Sequence, residues 1–277
     1  MDEDWTDWIG RSETATDVLT PAMADAFAAT LGTPVDAVPG APAPDGSHWL
    51  LAPPRVPLDE VGPDGHPRRG GFLPPIALPR RMWAASAVRF AAPLRIGETV
   101  ERVSTVASVE TKAGSTGPLV FVGVDRAYRV AGALRIAERQ TIVYRDIQPY
   151  RPPPGGDASP AEPADFERIV VPDPVMLFRY SAITFNGHRI HYDRPYATGV
   201  ELYPGIVVQA PLTATLCLDL AARALGPHRL ATFAFRGVAP AFAGEPLRIA
   251  ARQAGDDLAF VASAEGRVVA KADARLA

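Results

Sequence analysis

Two histidines and an asparagine lie close together in the segment 186–193, which reads NGHRIHYD. An imidazole group has an unperturbed pKa of about 6.5, so it can take up or release a proton near neutral pH. His191 is therefore a candidate acid–base residue, and the amide of Asn186 is a group that could hold a water molecule by hydrogen bonding. The H-x-x-H spacing also fits two metal ligands, but no cysteine or glutamate stands in register to complete the set. We therefore predict acid–base chemistry rather than a metal site.

The longest apolar helical pattern of the chain follows at residues 210–225. Leu212, Leu216 and Leu220 recur every four residues, Pro211 suits the first turn, and a glycine ends the pattern. Further apolar residues widen this face, so we expect the helix to be buried on all sides. Its N-terminus is predicted to face the histidine segment, and the remaining chain is predicted to form a sheet around it.

The composition is that of an ordinary globular protein, and it sets limits on the class of partner. The chain has 277 residues, which exceeds the roughly 100–200 residues of one domain, so two domains are expected. Hydrophobic residues make up 47% and charged residues 21%, as in globular proteins generally. The net charge of −3 favours neither nucleic acid nor an anionic membrane as a partner.

Three further features bear on where the protein is located. Cys217 is the only cysteine, so no intrachain disulfide can form, and its leucine neighbours predict a buried, inert thiol. The N-terminal residues MDEDWTDW are acidic and lack the apolar core of a signal peptide. The sequence contains no run of about 18 apolar residues, so no membrane span is predicted. We therefore expect a cytoplasmic protein.

The first half of the chain contains one predicted helix and a series of predicted strands. After a polar lead-in at residues 1–19, Thr20 and Pro21 predict the start of a helix that Gly32 ends. Residues 33–80 are rich in proline and glycine, which predicts coil with at most one short helix or strand. Strands follow, because apolar residues alternate with polar ones in parts of the remaining sequence.

The second half of the chain repeats this pattern. Asp173 and Pro174 predict the start of a helix, as Thr20 and Pro21 do. One arginine, one proline, one glycine and one glutamate recur at an offset of 147 residues: Arg89, Pro93, Gly97 and Glu98 correspond to Arg236, Pro240, Gly244 and Glu245. Strands are predicted after both sets, the later ones near 246–255, 257–265 and 267–275. The pattern indicates an internal duplication at the scale of a domain.

The two predicted halves differ at the position of the long helix. The predicted boundaries are 1–150 for a degenerate first half, 151–166 for a proline-rich linker and 167–277 for the second half. In the first half only FLPPIALPRRMW stands where the long helix would be, and its prolines exclude an equivalent helix. A sheet without a central helix leaves an open groove, so we expect the first half to make room for a bulky ligand.

The order of helix, NGHRIH turn, buried helix and antiparallel strands resembles the hot-dog fold, and more closely the MaoC-like (R)-specific enoyl-CoA hydratases and dehydratases. Their motif D-x-N-P-x-H-x-D lies over residues 186–193, and their V-x-H/Q-G-M-L segment lies over residues 207–212. Two-half bacterial members described as mesaconyl- or itaconyl-CoA hydratases carry segments similar to TFNGHRIHYD and PRRMW. The resemblance implies an α+β double hot-dog with two curved antiparallel sheets, the C-terminal one wrapped around the central helix.

The resemblance carries one departure, which affects the chemistry. Asn186 stands at the position of the family's catalytic aspartate and His188 at that of its asparagine, whereas His191 matches the catalytic histidine. An amide cannot transfer a proton near neutral pH, so the family's two-residue scheme does not carry over intact. We expect His191 to act as the base and Asn186 to orient the water. The oxyanion donor is expected to be the backbone N–H of Ala210, where the family uses a glycine.

Weaker candidates surround these residues. The set expected near the substrate comprises Tyr180, His188, Gly205, Gln209, Arg80, Arg81, Arg189 and Arg194. The arginines are ordinary surface residues by default, but one or two could bind CoA phosphates or a substrate carboxylate, since guanidinium pairs with both. Asp193 precedes an arginine and a proline and is expected to cap a short helix.

The resemblance implies a hydro-lyase that hydrates a short dicarboxylic enoyl-CoA, such as mesaconyl-CoA or itaconyl-CoA. No cofactor is expected beyond CoA as part of the substrate, and the two-half chain could form a homodimer. The first alternative is a dehydratase of (R)-3-hydroxyacyl chains on CoA or acyl carrier protein. A hot-dog thioesterase, with Asp219 as its acidic residue, and a non-catalytic acyl-CoA-binding module are further alternatives.

Overall fold

The structure is a computed structural model that describes residues 5–114, 117–152 and 163–277. Within these residues, ten strands form one antiparallel sheet. In chain order the strands are β1 Ser12–Val18, β2 Arg80–Phe90, β3 Thr99–Gly114, β4 Gly117–Val130, β5 Ala133–Arg145, β6 Phe166–Val170, β7 Leu230–Gly237, β8 Leu247–Ala254, β9 Asp257–Ala264 and β10 Arg267–Leu276. Their order across the sheet is β1-β3-β4-β5-β2-β7-β10-β9-β8-β6. The predicted antiparallel sheets of the two halves are joined into one, because β2 pairs with β7.

Four α-helices lie in the same part of the chain. They are α1 Pro21–Leu31, α2 Pro174–Ile183, α3 Arg194–Gly199 and α4 Ala210–Leu225. Short 3₁₀ turns occur at Thr6–Trp8, Ser47–Leu50, Leu58–Glu60 and Arg189–His191. The predicted long helix is confirmed as α4, with the predicted bounds. No helix in the described ranges is both long and apolar enough to cross a bilayer.

The pairing of β2 with β7 shows the internal repeat at the level of single residues. The offset of 147 residues maps Ala85 onto Thr232 and Arg89 onto Arg236, and the observed pairs are Ala85 with Arg236 and Arg89 with Thr232. Each pair is the image of the other, as at the two-fold axis of a symmetric dimer. On either side, β1-β3-β4-β5-β2 corresponds to β6-β8-β9-β10-β7. The boundaries 1–150 and 167–277 themselves stay predictions.

The repeated glutamates have the same local role in each half. Glu98 Oε2 accepts a hydrogen bond from the Arg95 N–H at 2.8 Å, and Glu245 Oε2 accepts one from the Phe242 N–H at 3.0 Å. The glycine before each glutamate has a φ of +89°, a conformation that glycine adopts without steric cost. The recurring Gly-Glu pair is therefore explained by the turn that leads into β3 and into β8.

The polar segments at the start of each half form the edges of the sheet. No element was predicted for the polar lead-in, but residues 12–18 form β1 and pair with β3. Their side chains are alternately exposed and half-buried, so polar residues are compatible with a strand there. Of the predicted linker 151–166, residues 153–162 lie outside the described ranges. Its last residue, Phe166, already belongs to β6, which pairs with β8.

The helix α4 is the centre of the core, as its leucines predict. Leu212 and Leu216 have no exposed surface and Leu220 is 4% exposed. The core around them includes Val88 and Tyr128 of the first half as well as the second-half sheet. Both halves therefore bury the same helix. Cys217 on α4 is buried, which raises its thiol pKa to about 12 and confirms the predicted inert cysteine.

The concave face of the first half is filled by irregular chain, so the expected open groove is corrected in this region. Ile76, from the proline-rich segment, is 2% exposed and packs in one cluster with Val106, Val122 and Tyr144. Beside this cluster the buried carboxylate of Glu138 accepts hydrogen bonds, and its donors include Trp49 Nε1, Ser86 Oγ and Gln140 Nε2. Prolines prevent a helix here but allow an extended segment to cover the sheet.

We expect Leu216→Ala to lower the free energy of unfolding by about 2–5 kcal/mol, because it leaves a cavity beside a fully buried helix. The matched control is Leu58→Ala, which removes the same atoms from a side chain that is 87% exposed. The control should change stability by about 0.5 kcal/mol or less. Urea unfolding followed by circular dichroism measures both, and equal effects would contradict the central position of α4.

Candidate active site

The turn between α2 and α3 is shaped by Asn186. The Asn186 N–H donates to Ser181 O at 2.8 Å, and Asn186 Oδ1 accepts from the His188 N–H at 3.1 Å. Asparagine favours such turns because its side-chain oxygen can bond the backbone two residues further on. The oxygen of Asn186 is thus engaged within the turn, and its amide NH₂ is the part left to meet water or substrate.

His191 is held by the segment that leads into α4. Its Nδ1 lies 2.7 Å from Val207 O, and the residue is 8% exposed. A carbonyl oxygen can only accept a hydrogen bond, so Nδ1 carries the proton and Nε2 keeps a lone pair. His191 therefore has the tautomer that a general base requires.

Burial keeps the His191 ring uncharged. Desolvation, the neighbouring His188 and the more distant His66 together lower the pKa of His191 well below 6.5, against the smaller opposing effect of Val207 O. At neutral pH the ring is thus in its basic form. A buried histidine whose bonded partner is a carbonyl gains little when it is protonated, so it releases a proton readily.

The start of α4 lies near this ring. The Val207 N–H donates to Ile190 O at 2.9 Å, so two hydrogen bonds fix Val207 to the turn. Ala210 follows three residues later, a stretch that spans at most about 11 Å. Among the described residues the Ala210 N–H donates to no protein group. Such a free donor at a helix N-terminus favours negative charge.

His188 lies between His191 and a buried ion pair. The rings of His188 and His191 are 5.3 Å apart and nearly perpendicular. His188 Nε2 lies 3.7 Å from Glu201 Oε1, and Glu201 pairs with Arg80 at 2.9 Å. Burial by itself raises the pKa of Glu201, but His188 and Arg80 outweigh it and hold the pKa below its usual range. Arg80 is 4% exposed, so the default prediction of a surface arginine is wrong for it.

A loop of the first half, residues 61–67, covers the turn. Asp64 O accepts a hydrogen bond from the Arg189 N–H at 2.9 Å. A Cβ atom on Gly65 would lie 1.9 Å from Gly187 O, and Gly65 also has a φ of +89°. Only glycine fits at this contact between the halves. The loop is therefore fixed directly on the NGHRIH turn.

This loop brings in a third histidine. His66 Nδ1 lies 3.1 Å from Asp64 Oδ2, and the His66 ring is 4.2 Å from the His188 ring. Burial, with smaller contributions from His188 and Arg81, lowers the pKa of His66 to about 3 despite the opposing hydrogen bond to Asp64. Neither Asp64 nor His66 was predicted as a site residue, because the only local signal was one histidine in a proline- and glycine-rich stretch.

The same groups could in principle bind a metal ion. One ligand atom from each of Asp64, His66 and His188 lies within 4.8 Å of the others. Asp64 Oδ2 and His66 Nδ1 are already hydrogen-bonded to each other, whereas His188 Nε2 is buried without a hydrogen-bond partner among the described residues. The arrangement therefore suits either a cation or a proton that moves among the rings.

Two of the predicted substrate residues lie in the core between α2 and α4. The Tyr180 hydroxyl is 3.0 Å from Thr215 Oγ1, and Tyr180 is 1% exposed. Gln209 Nε2 donates to Leu177 O at 3.0 Å and to Ser181 Oγ at 2.9 Å, and Gln209 has no exposed surface. Both side chains hold α2 against the start of α4.

The remaining candidates divide between the turn and the surface. Arg189 pairs with Asp193 at 2.7 Å, and Asp193 accepts from the Tyr196 N–H at 3.1 Å, which confirms the predicted cap of α3. Arg194 and Gly205 line a surface pocket.

Arg81 is half-buried in β2 and forms no ion pair among the described residues. Its charge nevertheless acts on the loop, because it contributes to the lowered pKa of Asp64 and of His66. Arg81 is therefore a cation beside the histidines without a carboxylate of its own.

The acidic residue considered for a thioesterase is occupied elsewhere. Asp219 forms ion pairs with Arg168 and Arg223 and accepts a hydrogen bond from Thr33 Oγ1. It lies nine residues along α4 from Ala210, which corresponds to about 13 Å. Asp219 therefore ties α4 to the first half and to β6 and does not reach the turn.

The fold is that of a double hot-dog, and comparison with known proteins identifies the chain as a hydro-lyase and gives its family. Residues 46–243 match the family of hydroxyacyl-thioester dehydratases type 2. A mesaconyl-C(4)-CoA hydratase of Chloroflexus aurantiacus is 46% identical over 254 residues, 91% of this chain and 90% of that protein. The chain belongs to this family, and the predicted MaoC-like resemblance is confirmed.

Further relatives and solved structures agree with this assignment. The mitochondrial hydroxyacyl-thioester dehydratase type 2 of Schizosaccharomyces pombe is 29% identical over 237 residues, 76% of this chain and 78% of that protein. A MaoC-like dehydratase from Phytophthora capsici has a TM-score of 0.69 at 14% identity, covering 98% of this chain and 97% of that one. A Mycobacterium tuberculosis protein with a double hotdog fold has a TM-score of 0.62 at 14% identity, covering 97% and 96%. These structures confirm the fold.

We expect Arg80→Met to lower the free energy of unfolding by about 3–5 kcal/mol, because it leaves Glu201 charged and unpaired in the interior. The double variant Arg80→Met/Glu201→Leu should recover most of this loss. The matched control is Lys112→Met, which breaks the exposed pair with Glu110 and should cost about 1 kcal/mol or less. Chemical denaturation measures all three, and an Arg80 effect no larger than that of Lys112 would contradict a buried pair.

Proposed function

We propose that this protein adds water reversibly to the double bond of a short dicarboxylic enoyl-CoA, of the mesaconyl-CoA or itaconyl-CoA type. The observation that carries the proposal is the hydrogen bond from His191 Nδ1 to Val207 O, because it leaves a basic Nε2 near the start of α4. The substrate class is supported by the Chloroflexus relative, which is named for mesaconyl-C(4)-CoA.

The proposed reaction uses three groups. In hydration, His191 Nε2 takes a proton from water while the water oxygen bonds to the β-carbon. Negative charge then develops on the thioester oxygen, to which the Ala210 N–H donates; loss of one such donor in other enzymes costs about 10²–10³ in rate. The amide NH₂ of Asn186 orients the water or the substrate. A proton must finally reach the α-carbon.

Arg81 is the proposed partner of the second carboxylate of the substrate. Three of the four candidate arginines are unsuited to this role, since Arg80 and Arg189 are paired with acidic residues and Arg194 is exposed. Arg81 forms no ion pair among the described residues and acts electrostatically on His66. Guanidinium binds a carboxylate through two parallel hydrogen bonds, which supports selectivity for a dicarboxylic substrate.

A substrate panel tests the proposed class. We expect kcat/KM to be higher for mesaconyl-CoA or itaconyl-CoA than for crotonyl-CoA, which lacks the second carboxylate. Arg81→Met should lower kcat/KM for the dicarboxylic substrate by about 10–100-fold, the value of a charged hydrogen bond, and leave crotonyl-CoA nearly unchanged. Arg194→Met is the control and should alter neither. Equal rates on all three thioesters would exclude dicarboxylate selectivity.

His191→Gln should reduce kcat by about 10²–10⁴ while the thermal midpoint stays near that of the wild type. In the wild type kcat/KM should stay level as pH falls through about 6.5, the pKa of an ordinary histidine. It should decrease only at lower pH, because the lowered pKa of His191 keeps its neutral, active form populated. Initial rates from about pH 5 to pH 8 measure this, and a midpoint near 6.5 would contradict the buried base.

The second candidate function is dehydration of (R)-3-hydroxyacyl thioesters on CoA or acyl carrier protein. The Schizosaccharomyces relative favours it, since its name is hydroxyacyl-thioester dehydratase. It uses the same three groups in the reverse direction, without a requirement for Arg81. Faster turnover of 3-hydroxybutyryl-CoA than of the hydrated dicarboxylic acyl-CoA would support this candidate over the first.

A further inference from the structure

The proposed hydration leaves one proton transfer without a dedicated residue. His191 takes a proton from water, and the α-carbon must gain one to complete the reaction. The resemblance puts an aspartate at this point of the motif, but residue 186 is an asparagine. An amide side chain cannot act as a general acid or base near neutral pH. Either His191 acts twice, or another group of the site supplies the second proton.

Asp64 and His66 form a second acid–base pair at the site. The pair is part of the loop that is fixed on the turn through the Arg189 N–H and the Gly65 contact. Asp64 Oδ2 lies 3.1 Å from His66 Nδ1, so His66 Nε2 is the ring atom left for another partner. The carboxylate can stabilise a protonated His66 ring, whereas among the described residues the His191 ring is hydrogen-bonded to a neutral carbonyl.

The other acidic groups near the histidines are already committed. Glu201 pairs with Arg80, and Asp193 pairs with Arg189 and caps α3. His188 stands between the other two rings, 4.2 Å from His66 and 5.3 Å from His191. Its Nε2 is buried and has no hydrogen-bond partner in the described part of the chain.

We propose that His66, oriented by Asp64, is a second catalytic residue that delivers the proton to the α-carbon. The inference rests on the hydratase function proposed above. His191 gains the proton of water as the C–O bond forms, and the electron pair of the C=C bond moves onto the thioester enolate. The proton passes by way of His188 to His66, where Asp64 stabilises it. His66 Nε2 then gives it to the α-carbon, and each ring regains the protonation state from which it started.

Deuterium exchange in the reverse direction separates the two proton transfers. The hydrated acyl-CoA is incubated with enzyme in D₂O, and deuterium at its α-carbon is followed by mass spectrometry. We expect His191→Gln to exchange this hydrogen without forming the enoyl product. His66→Gln should lose exchange and turnover together, by about 10²-fold or more. Exchange by His191→Gln would show that a group other than His191 moves the proton at the α-carbon, and loss of exchange in folded His66→Gln would assign that group to His66.

A second variant distinguishes a catalytic role of the Asp64–His66 pair from an effect of misfolding. Asp64→Asn keeps the size of the side chain and a hydrogen-bond acceptor but removes the charge, so kcat should decrease by about 10-fold or more with KM changed by less than about threefold. The matched control is His228→Gln, because His228 Nδ1 is paired with Asp45 at 3.0 Å in the same manner. His228 follows the far end of α4, roughly 24 Å from Ala210. The control should retain wild-type activity.

The outcomes separate this inference from the function on which it rests. If the wild type hydrates no enoyl-CoA, the proposed function fails. If the wild type is active and folded His66→Gln keeps kcat within about threefold, His66 is not the proton donor and the inference alone fails. One equivalent of zinc per chain, lost together with activity on chelation, would also overturn it, since the three groups would then be metal ligands.

Discussion

The pairing of β2 with β7 is the interaction on which the rest of this structure depends. It joins the two repeats into one sheet, so that both halves bury the single long helix α4. Because the repeats are fixed relative to one another, a loop of the first half can be seated on the turn of the second. The site is therefore a property of the joined halves, even though the NGHRIH motif belongs to one of them.

Burial determines the electrostatic character of the site. The pKa values of His66 and His191 are lowered mainly by desolvation, so both rings are neutral at physiological pH. The nearby charges of Arg80 and Glu201 compensate one another within a buried pair. A neutral imidazole can accept a proton, so both rings suit the proposed reaction, which takes a proton from water and returns it to carbon. In a low-dielectric site each fixed donor also interacts strongly with developing negative charge.

Much of the second half could be predicted because its signals are local. The leucines of α4, the cap at Asp193 and the repeated Gly-Glu turn all depend on residues within a few positions of one another. The strand β1 was not predicted, because it is an edge strand whose polar side chains are largely exposed and it shows no apolar alternation. The filling of the first-half groove was also missed, because a proline-rich segment such as that around Ile76 has no periodicity.

The sequence by itself determined where the main helices begin and end, that α4 is buried, that Cys217 is inert and that His191 is the first candidate for catalysis. The tertiary structure alone decided that Arg80 is buried with Glu201, 121 positions away, and that Asp64 and His66 join the site. The physical reason is that periodicity, capping and turn chemistry act over a few residues. A contact between residues far apart in the sequence depends on how the two halves pair, and no local sequence pattern specifies that pairing.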